Sequence, residues 1–381
     1  MGVAEKLEEG GPKRLLALDG GGIRGLVSIE ILAAIERAVG MPLGNYFDYI
    51  AGTSTGAILA TCLSLGMSVS ELRQFYLDTG PHLFELTSPF RRHLHKYEDA
   101  RVAEALRTLL VEPDRPARPM TLGSPTLRTL LLMVLRNATT DSPWPLSNNP
   151  RARFNDRGLP DCNLDFPLWR LVRASTAAPT YFGPEQLPVG DDAFLFVDGG
   201  ITPYNNPAFL LFLHATLEPY RLCWPTGPEN LLLVSVGTGG VTRADPGLVP
   251  GDMDLLYSAA RVPEALIGAA VVEQDTLCRI FGRCLHGATL DSELGDLRFT
   301  PDGPAPRLPK LFTYLRYTAD LSRAGLDRLG LGDIDPAHVR RIDAVDHMEE
   351  LQRVGQAAAR AVEPAHFEGF SHLIRSRDDE L

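Results

Sequence analysis

A serine hydroxyl does covalent chemistry only where the backbone holds it in the open and a neighbouring group takes its proton. One stretch of this sequence meets the first condition. Gly52-Thr53-Ser54-Thr55-Gly56 reads G-x-S-x-G. Phe47 to Ala51 before it are apolar or aromatic apart from Asp48, as a short buried strand would be. Ala57 to Leu63 after it suit a buried helix. A strand that turns at once into a helix, with serine at the apex, is a nucleophile elbow. Gly52 and Gly56 are then required because a Cβ on either side would collide with nearby backbone. The plain alternative is a glycine-rich turn before a buried helix, so the rest of the chain has to supply a base and a place for negative charge.

The place for negative charge comes first in the chain. Leu15 to Leu18 is a short apolar strand ending in Asp19, followed by Gly20-Gly21-Gly22-Ile23-Arg24-Gly25. Leu26, Ile29, Leu32, Ile35 and Val39 then recur at helical spacing. Glycines between a strand and a helix N-terminus present backbone N–H groups to an anion. Gly20, Gly22 and Gly25 also satisfy G-x-G-x-x-G, so a dinucleotide site has to be weighed. That site needs a second strand ending in an acid for the ribose, and the next strand ends in Gly52-Thr53-Ser54 instead. A P-loop is excluded because no Gly-Lys-Ser/Thr follows. An oxyanion cradle accounts for both glycine clusters with one site.

The candidate base lies at Asp198. Phe194 to Val197 is a buried strand, and it ends in Asp198-Gly199-Gly200. An acid at a strand end before two glycines is where an α/β sheet presents catalytic groups; an Asx turn is the plain alternative. Leu231 to Val236 is a further strand, closed by Gly237-Thr238-Gly239. Its Ser235 is no second nucleophile, because Leu233 stands where an elbow needs glycine. Ser175, among small residues in a helix expected over Leu168 to Ala178 and stopped by Pro179, reads as close helix packing.

These elements alternate strand and helix through residue 239, which predicts an α/β core with a mostly parallel sheet. Residues 1–13 read as a loose tail. Residues 66–120 read as helices capped by Ser68 or Ser70 and interrupted at Pro81, Pro89 and Pro113. Arg91 to Lys96 is the densest basic cluster, read as a solvated face with a lipid-headgroup contact as the alternative. Thr129 to Leu135 is strand-like, and Asn137 to Asp165 is a long irregular stretch. Trp144, Trp169 and Trp224 read as packing residues. Residues 240–310 alternate helical patches with Pro and Gly, and amphipathic segments follow from Leu311.

Composition bounds the function. The 381 residues leave open one large domain or two smaller ones, and a hydrophobic fraction of 44% suits a sizeable core. A net charge of -11 argues against nucleic acid and against strong docking onto anionic lipid. The five cysteines form no C-x-x-C pair, so neither a zinc site nor a disulfide framework is indicated. No H-E-x-x-H and no calcium-loop pattern is present, so neither metal nor cofactor is expected. Met1 to Arg14 lacks the apolar run of a secretory signal, and no run is long enough to span a bilayer. A cytoplasmic location with peripheral lipid contact is the expectation, and the oligomeric state is open.

Taken together, the three motifs resemble the patatin-like phospholipase family, in the family's order. Asp19 to Gly25 is similar to its glycine-rich oxyanion motif, Gly52 to Gly56 to its elbow, and Asp198-Gly199-Gly200 to its acid motif. Ala174 to Phe182 and Ser235 to Gly239 match as well. The resemblance implies a single three-layer domain, with residues 14–240 as the catalytic core. Residues 241–381 would complete that core and add a helical C-terminal extension. It further implies hydrolysis of lipid or acyl-ester substrates by a Ser-Asp dyad without histidine or metal. Ser54 would be the nucleophile and Asp198 its partner. Gly20, Gly21, Gly22, Arg24 and Gly25 would make the oxyanion hole, while Gly52, Thr53, Thr55, Gly56, Gly199 and Gly200 would support elbow and dyad. Three alternatives stay open. One is a Ser-His-Asp esterase using His214, His286, His338, His347, His366 or His372. A second is a defence effector of this family switched on by a cyclic nucleotide. The third is a non-catalytic lipid-binding protein.

Overall fold

A computed structural model describes residues 2–83, 99–240, 249, 253–300, 303 and 308–371. In chain order, helix α1 (Val3–Glu8) leads into strand β1 (Lys13–Leu18) and, past the glycine loop, α2 (Gly25–Val39) and α3 (Leu43–Tyr46). Then come β2 (Tyr49–Thr53), α4 (Thr55–Ser64), α5 (Val69–Leu83) and α6 (Asp99–Leu109). A small hairpin of β3 (Val111–Glu112) and β4 (Arg115–Pro119) precedes β5 (Leu130–Asn137), β6 (Ser142–Ser147) and α7 (Leu168–Ser175). The chain continues through β7 (Glu185–Val189), β8 (Asp192–Asp198), α8 (Ala208–Thr216) and β9 (Leu231–Val236). It ends with α9 (Leu255–Phe281), β10 (Gly282–His286), β11 (Phe312–Tyr317), α10 (Arg323–Arg328), α11 (Pro336–Arg340) and α12 (Met348–Ala358).

Nine of these strands form one sheet in the order β10-β11-β9-β1-β2-β5-β8-β7, with β6 also on β5. From β10 to β5 every neighbouring pair is parallel. Parallel strands are buried on both faces, which is why residues 15–18 of β1, 49–51 of β2 and 231–234 of β9 are continuous apolar runs. Alternate residues of β1 serve opposite faces. Leu16 and Leu18 join the core under α2, α4 and α7, while Leu15 and Ala17 join the core under α8 and α9. The molecule is thus helix, sheet, helix: a three-layer α/β fold. Asp48, the one charged residue in the apolar run before the elbow, is fully buried and takes the Arg14 backbone N–H at 2.7 Å and its guanidinium at 3.1 and 3.2 Å.

The pairing of β5 decides where the acid goes. Residues 130–134 of β5 pair with β2, and residues 135–137 pair with β8, antiparallel. β6 pairs with residues 132–137, overlapping both, so it occupies the other edge. β2 and β8 therefore share one edge of β5 and run toward each other. The last residue of β8, Asp198, arrives where β2 hands over to Ser54.

Several segments differ from the sequence reading. Where residues 1–13 read as a loose tail, α1 is pinned by Lys6, 0% exposed, which donates to the carbonyls of Gly44 at 2.9 Å, Asn45 at 3.1 Å and Phe47. The irregular stretch from Asn137 contains β6, disguised by Pro143 and Pro145, with Trp144 packed on Phe194 and Phe196. Pro81 lies within α5 rather than ending a helix. The expected helix over Leu168 to Ala178 stops at Ser175. Residues 240–310 hold a 27-residue helix, α9, with Pro263 inside it, and the C-terminal part supplies β10 and β11 to the central sheet. Pro89 and the basic cluster Arg91 to Lys96 lie outside the described residues. Among the described residues, no helix is long and apolar enough to cross a membrane.

Candidate active site

The elbow has the geometry its spacing predicts. Ser54 sits at φ 55°, ψ -125°, a strained region for an L-residue. A Cβ at Gly52 would lie 2.0 Å from the Gly56 carbonyl oxygen, and one at Gly56 would lie 2.1 Å from that of Leu18. Only glycine fits at either position. Thr53, just before the apex, donates from Oγ1 to the Tyr204 carbonyl at 2.6 Å. Thr55, just after it, donates to the Gly22 carbonyl at 2.8 Å and touches the Tyr76 hydroxyl. Elbow and glycine loop are thereby one unit.

Ser54 Oγ donates to Asp198 Oδ2 at 2.6 Å. The other carboxylate oxygen, Oδ1, accepts the Gly200 backbone N–H at 2.6 Å. Both oxygens are occupied, and no histidine stands between serine and acid. A Cβ at Gly199 would meet the Val134 carbonyl oxygen at 2.2 Å, so this residue lets β8 close on β5. Asp198 is buried at 4% exposure. Burial pushes its carboxyl up to about 6, against hydrogen bonds from Ser54 and Gly200 and the charge of Arg173, which lower it.

The glycine loop lies against the serine. A Cβ at Gly20 would be 2.3 Å from Asn205 Oδ1 and 3.1 Å from the Ser54 Cβ. Gly20 spends its own N–H on the Asn205 carbonyl at 3.0 Å, so it shapes the loop rather than offering a donor. The N–H groups of Gly21 and Gly22, and of Thr55 at the start of α4, find no acceptor among the described residues. Gly22 has φ +60°, and its neighbour Ile23 donates to the Ile342 carbonyl at 2.9 Å. Arg24 reaches back from Nε to the Gly21 carbonyl at 3.4 Å. Gly25 opens α2 against the Tyr76 hydroxyl, which a Cβ would meet at 2.8 Å.

Two groups of supporting residues escaped the sequence reading. Ser175, read as helix packing, accepts the Ser54 backbone N–H at 3.0 Å and donates to the Val134 carbonyl at 2.7 Å. Its place at the end of a helix stopped by proline carried no mark of this role. The second group holds Asp19. Arg316 of β11, 4% exposed, forks onto Asp19 Oδ1 at 2.8 Å and Oδ2 at 2.6 Å, and donates to Ser235 at 2.7 Å. Burial works against its charge, yet Asp19 drives the guanidinium further toward the charged form. Thr238 adds a bond to the Gly20 carbonyl at 3.0 Å. The C-terminal part of the chain therefore anchors the glycine loop near the N-terminus.

The histidines weighed for a triad are engaged elsewhere. His214 is buried and stacks on Tyr220 at 3.7 Å, and His286 stacks on Tyr317 at 4.8 Å. His366 contacts the Tyr317 hydroxyl at 2.8 Å, and His372 lies outside the described residues. His338 and His347 stack on each other at 3.7 Å, with their Nδ1 atoms 3.1 and 3.4 Å from Glu350. Among the described residues this trio has its ligand atoms within 4.8 Å of one another. Its rings are face to face, a geometry suited to sharing a carboxylate. The five cysteines are free thiols, buried except for Cys223.

With this geometry in hand, comparison with known proteins identifies relatives. The patatin-like phospholipase profile matches residues 16–212, which include the glycine loop, the elbow and the strand-end acid. An 85/88 kDa calcium-independent phospholipase A2 of Rattus norvegicus is 33% identical over 206 residues, 51% of this chain and 22% of that one. A cGAMP-activated phospholipase of Escherichia coli (strain TW11681) is 32% identical over 237 residues, 60% of this chain and 62% of its own length. The chain thus spans less than two thirds of these relatives. The crystal structure of VipD from Legionella pneumophila aligns over 90% of this chain and 67% of that one, at 14% identity and a TM-score of 0.36. The profile match covers more than half of the chain, and the chain belongs to the patatin-like phospholipase family.

Proposed function

We propose that the chain is a serine lipid acyl hydrolase, with Ser54 as nucleophile and Asp198 as the base that acts on it directly. The observation that carries this reading is the 2.6 Å contact from Ser54 Oγ to Asp198 Oδ2 at a strained elbow apex. Ser54 Oγ attacks the acyl carbonyl carbon while its proton passes to Asp198. Negative charge develops on the carbonyl oxygen, and the N–H groups of Gly21, Gly22 and Thr55 are the candidate donors for it. Collapse of the tetrahedral species returns the proton to the leaving alcohol and leaves an acyl-serine. Water then repeats the sequence, with Asp198 as base, and frees the fatty acid. The relatives' names support lipid esters as the substrate class and a patatin-type phospholipase as the reading of this chain.

The direct test is hydrolysis of a panel of p-nitrophenyl esters and phospholipids by the purified chain, with a fluorophosphonate to label Ser54. Absence of turnover and of labelling across the panel would overturn the reading. A second reading, the same chemistry held off until a cyclic nucleotide binds, draws on the cGAMP-activated relative. Repeating the panel with cyclic dinucleotides separates the two. A peripheral encounter with lipid at the membrane surface, in the cytoplasm, belongs to this proposal, as does the absence of nucleic-acid partners.

Two further results are expected. Asp198 works as a base only when ionised, so kcat/KM should fall about tenfold per pH unit below an apparent pKa of about 6 and level off above it. An acid limb near the ordinary carboxylate value of 3.8 would contradict the buried base. Arg316→Lys keeps the charge facing Asp19 but gives up the two-pronged contact. Turnover should drop about tenfold or more, and the melt should fall by several degrees, because a buried carboxylate oxygen or Ser235 loses its donor. Full turnover in a folded Arg316→Lys protein would mean that the Asp19 anchor does not position the loop.

A further inference from the structure

The C-terminal part of the chain brings two imidazoles and a carboxylate together at a place the dyad chemistry does not use. His338 lies in α11, Glu350 in the first turn of α12, and His347 directly before that helix. His347 and Glu350 are three residues apart, a spacing that puts both on one side of a helix start. His338 comes from the preceding helix, twelve residues before Glu350. His338 Nδ1 is 3.2 and 3.1 Å from the two Glu350 oxygens, and His347 Nδ1 is 3.4 Å from Oε1. An ion bound by nitrogen and oxygen at about 2.0–2.1 Å holds its ligand atoms about 3.0–3.4 Å apart, the edge of an octahedron or a tetrahedron. The separations here match those edges. The rings stack with 14° between their planes, so seating an ion requires them to turn apart. The His338 and His347 side chains are 40% and 26% exposed, which leaves them room to turn. Two imidazoles with one carboxylate suit zinc and its neighbours, whereas calcium and magnesium take oxygen ligands.

The trio also closes a loop that touches the glycine cradle. Between His338 and His347 the chain passes through Ile342. The Ile342 carbonyl accepts the Ile23 N–H at 2.9 Å and stands 2.2 Å from where a Gly22 Cβ would sit. Met348, next to His347, reaches the same neighbourhood: a Cβ at Gly80 would meet Ile23 Cδ1 at 2.9 Å and Met348 Cε at 3.4 Å. Residues 341–344 belong to no helix or strand, so a cross-link spanning them removes freedom that a backbone ladder does not. Joining His338 to His347 and Glu350 therefore fixes the backbone against which Gly22 and Ile23 rest.

We propose that His338, His347 and Glu350 bind a zinc-type divalent cation, with water completing its shell, and that the bound ion is a clip holding the Ile342 carbonyl against the glycine loop. The ion takes no part in acyl transfer. Its effect on turnover rests on the hydrolase reading, while its binding does not. The test uses the full chain with Cys223→Ser, which removes the exposed thiol as a competing ligand, and adds His338→Phe or Glu350→Gln to it. Phenylalanine keeps a ring to stack on His347 but carries no ligand atom. Zn²⁺ is titrated by calorimetry into chelator-stripped protein, and thermal melts are recorded with and without it. kcat and KM on a p-nitrophenyl ester are measured under the same two conditions. The expected result is one Zn²⁺ per chain with a higher melting temperature on binding, and an affinity lower by about a hundredfold or more in both variants. Zn²⁺ should raise kcat about fivefold with KM little changed, and His338→Phe should show no such response. Zn²⁺ binding of equal affinity in folded His338→Phe and Glu350→Gln proteins would overturn the site. Binding that both variants lose, with kcat unmoved by Zn²⁺ in the parent chain, would overturn the clip. If the parent chain cleaves no ester with or without Zn²⁺ but still binds it through the trio, the hydrolase reading fails and the cation site stands.

Discussion

Ser54→Ala is expected to lower hydrolysis of every ester by about 10⁴-fold or more and to abolish fluorophosphonate labelling. The size of the effect follows from the site's economy. A reaction run by one nucleophile and one base has no second group to take over the attack. The substitution should leave the fold in place. The backbone at residue 54 is already strained at φ 55°, and alanine carries no larger Cβ than serine. What is lost is one hydrogen bond to a buried carboxylate. Asp198 keeps the Gly200 N–H, so it is not left wholly without a partner. Circular dichroism and thermal melting establish that the variant is folded, and labelling reports the nucleophile directly. A folded Ser54→Ala protein with wild-type turnover would remove Ser54 from the mechanism, and the G-x-S-x-G turn would then be only a tight entry into α4.

The parts of this site that could be read from the sequence are those where local chain geometry and chemistry coincide. Gly52 and Gly56 are glycines because backbone passes within about 2 Å of where a Cβ would sit, and that demand leaves a fixed spacing around Ser54. Asp198 was legible because a strand-end acid before two glycines is unusual. The supports were not legible, because their partners lie far away in the chain. Arg316 and Asp19 are 297 residues apart, and nothing near Arg316 distinguishes it from the other arginines of the C-terminal part. Ser175 and Ser54 are 121 residues apart, and Ser175 resembles any small residue in a packed helix. The same limit applies to the fold. β1, β2, β5 and β9 are buried on both faces and read as apolar runs. β6 carries two prolines and β7 one, on the antiparallel side of the sheet where fewer ladder bonds are required, so proline hid them. Lys6 shows how a charge misleads in the other direction. A lysine in a glycine- and glutamate-rich segment reads as solvent-exposed, yet here it is buried among three carbonyls.

Asp198→Asn is expected to remove activity about as thoroughly as Ser54→Ala, and it is the change that separates a dyad from a triad. Asparagine has nearly the shape of aspartate and can still accept from the Gly200 N–H, but it cannot take the serine proton. In a triad the acid only orients a histidine, so its loss leaves more residual rate than loss of the base. Here the carboxylate itself meets the serine. Residues acting as one unit lose activity together, so the Ser54→Ala/Asp198→Asn double variant should be little worse than either single one. His286→Gln serves as the control. Its ring is occupied by Tyr317, and the variant should retain most of the wild-type rate. A well-folded His286→Gln protein as inactive as Ser54→Ala would return the site to a Ser-His-Asp reading. Stability gives an independent check of the same carboxylate. Its folded pKa of about 6 lies above the ordinary 3.8, so the folded state holds the proton more tightly than the unfolded chain does between those values. Stability is therefore lost as pH rises through that window, by about 3 kcal/mol in all. Asparagine carries no charge to bury. Asp198→Asn should melt at a higher temperature than wild type at pH 8, and that advantage should shrink toward zero at pH 4. An inactive variant with no such pH-dependent gain would mean that the Asp198 carboxylate is not the buried, raised base that the mechanism requires.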